Sequence, residues 1–212
     1  MSFTPRLSST GMANNPWWYS TASNTYLTWY NRFTNTGNGL PNCTCYAYGR
    51  FAEIQGDWQP FANTDLGRES VMLPRGDAGI WWEQATNPTN KYYIGAGRYG
   101  QTPQLGAVIC WHDPTGTYSG HVAVVEEIHY NSDNTVNYIV TSNSAYGGQY
   151  FYTSSIYRVN SYYPSDSYHI SYHNDAYRTQ GFLYQASQPT PPTPTPTTRR
   201  KMPLYMYLHY GI

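Results

Sequence analysis

The order of its segments predicts an α+β fold, with N-terminal helices packed on a mostly antiparallel β-sheet. Three observations carry that expectation. Apolar residues recur at spacings of three and four in the first half of the chain, short β-branched runs follow one another in the second, and turn-rich joints separate those runs.

The first helix begins after Asn42. Asparagine is a favoured N-cap, and Cys43, Tyr46, Ala47, Arg50, Phe51 and Ile54 then follow a helical spacing until Gln55-Gly56 stops it. Gly49 weakens this helix by about 1 kcal/mol relative to Ala. A second, short helix is expected after Asp77, carrying Ile80, Trp81, Trp82 and Ala85. Strands are predicted at LGAVICW (105–111), HVAVVEEI (121–128), NYIVTSN (137–143), YFYTSSIYRV (150–159) and QGFLYQ (180–185). The NSDNT turn joins the second and third of these as a hairpin.

With 212 residues the chain has room for one domain of ordinary size, which needs no metal or disulfide merely to fold. Twelve basic residues balance twelve acidic ones. A zero net charge gives no long-range pull toward nucleic acid or anionic lipid, so neither is expected as a partner. Only 11% of residues are charged, against roughly 25% in typical soluble domains. Hydroxyls, amides and 24 Tyr supply the polarity instead, a surface suited to sugars and peptides outside the cytosol.

No apolar run approaches the ~18 residues that span a bilayer, so membrane insertion is not expected. The first twenty residues lack the basic and apolar segments of a secretory signal, so release from a cell by another route is expected. Residues 1–187 form the working domain, expected to act as a monomer. QPTPPTPTPTT (188–198) is a Pro/Thr linker that prefers extended polyproline II, and at about 3.1 Å per residue it reaches at most ~35 Å. Residues 199–212, basic and then aromatic, are too few to fold alone. They read either as a remnant or the start of a further module, or as a docking peptide.

A nucleophile needs an activated side chain, a base within reach and a third group that orients the base. Cys43 follows an N-cap, where backbone N–H groups and the helix dipole favour a thiolate and can hold a developing oxyanion. Cys45, two positions on, turns off that face, and Cys110 lies inside an apolar strand; both read as packed thiols. Six histidines compete for the base. His112 follows a strand, His121 opens one after Gly120, and His129, eight residues later, should share its face at the far end. His169 and His173 sit in a Tyr-rich stretch and His209 beyond the linker, and spacing alone does not choose among the six. Asn143 and Ser144, at the end of the next strand, are placed to orient His121 if the hairpin forms.

These residues carry a family resemblance. LPNCTCYAYGRFAEI (40–54), PQLGAVICW (103–111), SGHVAVVEEI (119–128), IVTSNSAYGGQYFYT (139–153) and QGFLYQ (180–185) occur in the order seen in CHAP domains. Those are the cysteine, histidine-dependent amidohydrolase/peptidases of bacterial and phage cell-wall hydrolases. FTPRLSS and NPWWY resemble the opening of phage-type members, so the likeness spans essentially residues 3–185. By this resemblance Cys43 matches the nucleophile of the C-x-x-Y-A block, His121 the base of the G-H-V-A block and Asn143 the third polar residue. Where some members carry a further Asn, this chain has Ala145, and Cys45 stands where the family often has Trp or Gly.

The resemblance implies a papain-like α+β fold and a peptidoglycan hydrolase, cutting either the N-acetylmuramoyl-L-alanine amide or a peptide bond of stem or cross-bridge. A Cys–His pair resting as thiolate–imidazolium would do this with a neutral Asn beside it. The expected setting is the bacterial cell wall, reached as a phage lysin. Tyr46, Trp81, Trp82 and Tyr146 are the aromatics expected to touch substrate, with Trp17, Trp18 and Trp58 as further candidates for a groove. Some relatives bind calcium, but no D-x-D-x-D-G run is present, and no cofactor or metal is expected. Two other classes compete: a wall-binding module without catalysis, and a metal hydrolase, for which no HExxH or HxxEH spacing exists.

Overall fold

The computed structural model describes residues 3–12, 40–56, 73–74, 76–146, 148–158, 168–170, 173 and 176–187. Trp17, Trp18, Trp58, His209, the Pro/Thr linker and the tail lie outside the described residues.

Helix α1 spans Cys43–Gln55, within the limits its caps predict. Asn42 is extended, and its side-chain oxygen accepts the backbone N–H of Cys45 and the hydroxyl of Thr44. Gly56 ends the helix at φ 69°, where its N–H closes onto Ala52 and Glu53. A side chain there would cost about 1 kcal/mol or more. The second helical stretch is split: a 3-10 turn (Ala78–Ile80) runs into a short α2 (Trp81–Thr86).

Six strands follow: β1 (Tyr99–Gly100), β2 (Val108–His112), β3 (His121–Tyr130), β4 (Val136–Asn143), β5 (Tyr152–Tyr157) and β6 (Arg178–Leu183). They form one sheet in the order β1-β6-β2-β3-β4-β5, antiparallel at every pairing. The fold is α+β, as predicted. Only the two-residue β1 was not expected; it is held at the edge by β6 through Tyr99↔Leu183 and Gly100↔Phe182.

The sheet buries both faces. On one, Val108, Cys110, Val122, Val124 and Leu183 pack against Tyr46, Ala47, Phe51 and Trp81 of the helices. On the other, Ile109, Trp111, Ala123, Val125, Ile139 and Phe182 pack with Tyr168 and Tyr177. Each large apolar side chain so buried contributes roughly 1.5–3 kcal/mol. Trp111 Nε1 donates to the Tyr168 carbonyl at 2.7 Å, which holds the second cover in place.

A buried ionic network ties α1 to the sheet. Arg50 donates through Nε and Nη2 to the two oxygens of Glu126, both at 2.9 Å, and through Nη1 to Glu53 at 2.6 Å. Glu126 also accepts from Ser142 Oγ at 2.6 Å and from the backbone N–H of Arg6 at 2.8 Å. The N-terminal segment closes the set, with Arg6 on Glu53 and the Thr4 carbonyl on Arg50. A doubly paired, hydrogen-bonded carboxylate is the form in which a buried charge is tolerated.

Glu126 also marks a bulge. The β3–β4 ladder runs Val124↔Ser142 and Val125↔Thr141, then skips to Glu127↔Val140. One extra residue reverses the alternation beyond it. His129 therefore pairs with Tyr138 on the face of Ser142 and Val124, whereas His121 pairs with Trp111 on the other. The expectation that His121 and His129 share a face is corrected by that single residue.

Candidate active site

At one end of the sheet His121 is hydrogen-bonded to Asn143, and Cys43 and His121 line one cleft of about 940 Å³. That volume is at the upper end for sites that enclose a small ligand. Cys43 arrives on the first turn of α1 from the helix side. His121 opens β3 with its ring stacked on Trp111, centroids 5.7 Å apart.

Local structure fixes each of them. Asn42, capping α1, donates its backbone N–H to Ser144 Oγ at 3.0 Å, so the start of the helix is tied to the end of β4. Gly120 lets the chain enter β3 beside the 3-10 turn. Its φ is 77°, and a Cβ there would lie 2.5 Å from Gly79 N and from the Trp111 carbonyl oxygen. Gly79 N–H donates to the Ser119 carbonyl at the same contact. Ahead of it, the Asp113 carboxylate gathers Thr115, Thr117 and Tyr118 N–H at 2.8–3.0 Å and shapes the loop between β2 and β3.

The hydrogen bonds around His121 determine its tautomer. Asn143 Nδ2 donates to the Thr141 carbonyl and hydroxyl at 3.2 and 3.0 Å, which turns Oδ1 toward the ring. Oδ1 lies 3.1 Å from His121 Nε2. An amide oxygen only accepts, so in the neutral ring Nε2 carries the hydrogen and Nδ1 keeps the lone pair. Nδ1 is the basic nitrogen.

Burial governs the electrostatics. It pushes the half-buried Cys43 thiol up to about 11, although backbone N–H groups of Val122, Thr44 and Cys43 itself act in the opposite sense. Burial lowers His121 to about 4, opposed by its hydrogen bond to Asn143. Both shifts favour the uncharged forms. Both run against the resting ion pair expected from sequence, because desolvation opposes the N–H dipoles at the helix start.

The other candidates separate cleanly. Cys45 and Cys110 are fully buried, and burial raises both thiols. His112 and His129 do not line the cleft, whereas His173 does, stacked on Tyr118 at 4.0 Å. Of the four aromatics expected to touch substrate, only Tyr146 lies on the cleft, 71% exposed. Tyr46 and Trp81 are wholly buried in the helix-side core, which leaves substrate no surface to contact. Trp82 packs edge-on to Tyr99 and against Gly181, where a Cβ would come within 2.5 Å of its ring. Sequence reasoning missed Tyr118, Tyr152, His173 and Tyr177 as cleft residues. Only Tyr152 carried a usable signal, since it stands opposite Asn143 across the β4–β5 ladder. Ala145 lines the cleft with a methyl group.

Among the described residues lining the cleft, Asp77 is the one carboxylate, and there is no lysine or arginine. No group of three or more His, Cys, Asp or Glu among the described residues is arranged to hold a metal ion. No helix among them is long and apolar enough to cross a membrane.

The antiparallel sheet with helices on one face defines an α+β domain, and one end of it carries a cysteine at a helix start and an amide-held histidine. The CHAP domain family matches residues 33–144, more than half of the sequence, and the chain belongs to that family. Membership points to an amidase/peptidase-type hydrolase acting on peptidoglycan. No curated protein and no solved structure matches the chain.

Proposed function

We propose that the protein cleaves an amide bond of bacterial peptidoglycan by acyl transfer through Cys43, with His121 as base and Asn143 as its orienting group. The hydrogen bond from His121 Nε2 to Asn143 Oδ1 carries this reading, because it leaves Nδ1 as the lone pair in a cleft that Cys43 also lines. The arrangement is papain-like in that the thiol sits on a helix and the imidazole on an antiparallel sheet.

From the neutral pair, the Cys43 proton passes to Nδ1 as sulfur attacks the carbonyl carbon. Backbone N–H groups at the start of α1 accommodate the oxyanion. The C–N bond breaks as Nδ1–H protonates the leaving amine, leaving a thioester on Cys43. Water, deprotonated by Nδ1, then releases the acid and restores the thiol. The bond cut is either the N-acetylmuramoyl-L-alanine amide or a peptide bond in stem or cross-bridge. Mass spectrometry of purified peptidoglycan digested by the wild-type chain, Cys43→Ala and Cys45→Ala tests this. New amine and acid termini should appear with wild type and Cys45→Ala and be missing with Cys43→Ala; equal product from all three contradicts it.

The same reading places the protein at the bacterial cell wall as a phage lysin, with residues 1–187 as the working domain and 188–198 as a spacer. Arg199, Arg200 and Lys201 then favour anionic wall polymers, an attraction that salt weakens. Deleting 188–212 should leave the melting temperature and the hydrolysis of soluble fragments unchanged, while a sedimentation assay shows weaker binding to intact cells at low salt. Equal binding by the truncated chain would reduce the tail to a remnant.

A further inference from the structure

His121 Nε2 has a second neighbour. The Tyr152 hydroxyl lies 3.5 Å from it, beside the 3.1 Å contact to Asn143 Oδ1. The placement follows from the sheet: Asn143 and Tyr152 are direct partners in the β4–β5 ladder, so both side chains emerge on one face, Asn143 buried and Tyr152 lining the cleft. Tyr152 is half-buried and lines the cleft, and it shares the Nε2 side of a ring whose flat face rests on Trp111.

We propose that Tyr152 is a positioning residue for the proposed reaction, its hydroxyl oxygen sharing the Nε2–H of His121 with Asn143 and holding the imidazolium that forms when the ring takes the Cys43 proton. The proposal rests on His121 acting as the base. Asn143 Oδ1 accepts, so Nε2–H is the donor and the Tyr152 oxygen a second acceptor for it. When Nδ1 takes a proton, Nε2–H becomes more acidic and both contacts become charge-assisted, a class of hydrogen bond about twice as strong as the neutral one. A contact of 3.5 Å in the empty site agrees with that order of events, since catalytic hydrogen bonds tighten as charge develops. The titratable groups lining the same cleft are Cys43 from α1, Asp77 ahead of the 3-10 turn, Tyr118 from the β2–β3 loop, Tyr146 after β4, and His173 and Tyr177 ahead of β6. Glu126, Arg50 and His129 belong to the other face of the sheet.

The test compares the full chain with Tyr152→Phe, which keeps the ring and removes only the hydroxyl. At neutral pH, kcat on soluble wall fragments should fall about 10-fold, the order for losing a hydrogen bond to a charged group, with KM unchanged. The acid limb of kcat/KM should move to lower pH, because a lost acceptor disfavours the imidazolium. A slower enzyme whose acid limb extends further is not the mark of loosened packing. A nitrogen-15 NMR titration of the His121 ring in Cys43→Ala, with and without Tyr152→Phe, reads the same shift without turnover. Absence of either the rate loss or the pH shift overturns the proposal, and a rate loss matched by a lower melting temperature at a fixed limb assigns Tyr152 to packing alone. If Cys43→Ala keeps full activity, the reading of the site itself has failed, and the NMR pair still decides whether Tyr152 bonds the ring.

Discussion

At its middle, α1 sets Arg50 against Glu126 of β3, which also accepts from Ser142 of β4; at its start, it brings Cys43 to the cleft that the first residue of β3 also lines. The same helix and strands thus bury polar groups twice, in opposite ways. Around Glu126, two guanidinium nitrogens, a hydroxyl and a backbone N–H satisfy both carboxylate oxygens in the interior. Around His121 and Cys43 there is one amide, one hydroxyl and backbone N–H groups, and burial shifts both groups toward their neutral forms. The first arrangement fixes helix to sheet. The second is poised to create charge only as a proton moves between its members, where dipoles already in place act on the transition state more than on the resting site.

The largest way to break this contrast is at the cleft. Cys43→Ala or His121→Ala should lower peptidoglycan turnover by ~10³-fold or more, the order seen when a nucleophile or its base is lost. Thermal unfolding should show little change in Cys43→Ala, whereas His121→Ala also strips the buried Asn143 oxygen of its donor and should lose about 1–3 kcal/mol of stability. Cys45→Ala, measured by the same release of wall fragments, should keep most of the activity.

At the ionic network the balance reverses. Arg50→Met strands the Glu126 carboxylate in the core, so denaturant unfolding should show a loss of about 3–5 kcal/mol. The protein that remains folded should turn over nearly normally. Arg50→Met with Glu126→Leu should recover much of that stability, since matched apolar replacement removes the unpaired charge.

The smallest effect sharpens the comparison through pH. His121 binds its proton near pH 4 when folded but near its ordinary 6.5 when unfolded, so the unfolded chain holds more protons between those values. Stability from this group is complete above that window and is lost as pH falls through it. Cys43 works the other way: its thiol is raised to about 11, so its contribution is present below the ordinary thiol range and is lost as pH rises toward 11. Calorimetric melting temperatures across pH should therefore decline less on the acid side in His121→Gln and less on the alkaline side in Cys43→Ala.

Much of this molecule was legible where one short segment decides its own conformation. Asn42 and Gly56 bracket α1 because a cap needs only its neighbours. The β3–β4 hairpin followed from two apolar runs and the turn between them, and pairs antiparallel as expected. What stayed hidden depends on partners far along the chain. The bulge at Glu126 exists where Arg50, 76 residues away, takes its side chain, and no alternation pattern shows it. Trp81 reads as well for a groove as for a core until the sheet is in place against it. The upward shift of the Cys43 thiol is likewise a product of burial: a helix start favours a thiolate, and only the packed cleft opposes it.

The most direct measurement of the central claim is the covalent intermediate. Rapid acid quench of the full chain mixed with purified wall fragments, followed by mass spectrometry of its peptides, should find an acyl group on the peptide carrying Cys43, with fragmentation placing it on that sulfur. The adduct should be missing from Cys43→Ala and should not build up in His121→Ala. An acyl group on Cys45, or full turnover by Cys43→Ala with no adduct on the wild-type chain, would contradict the account.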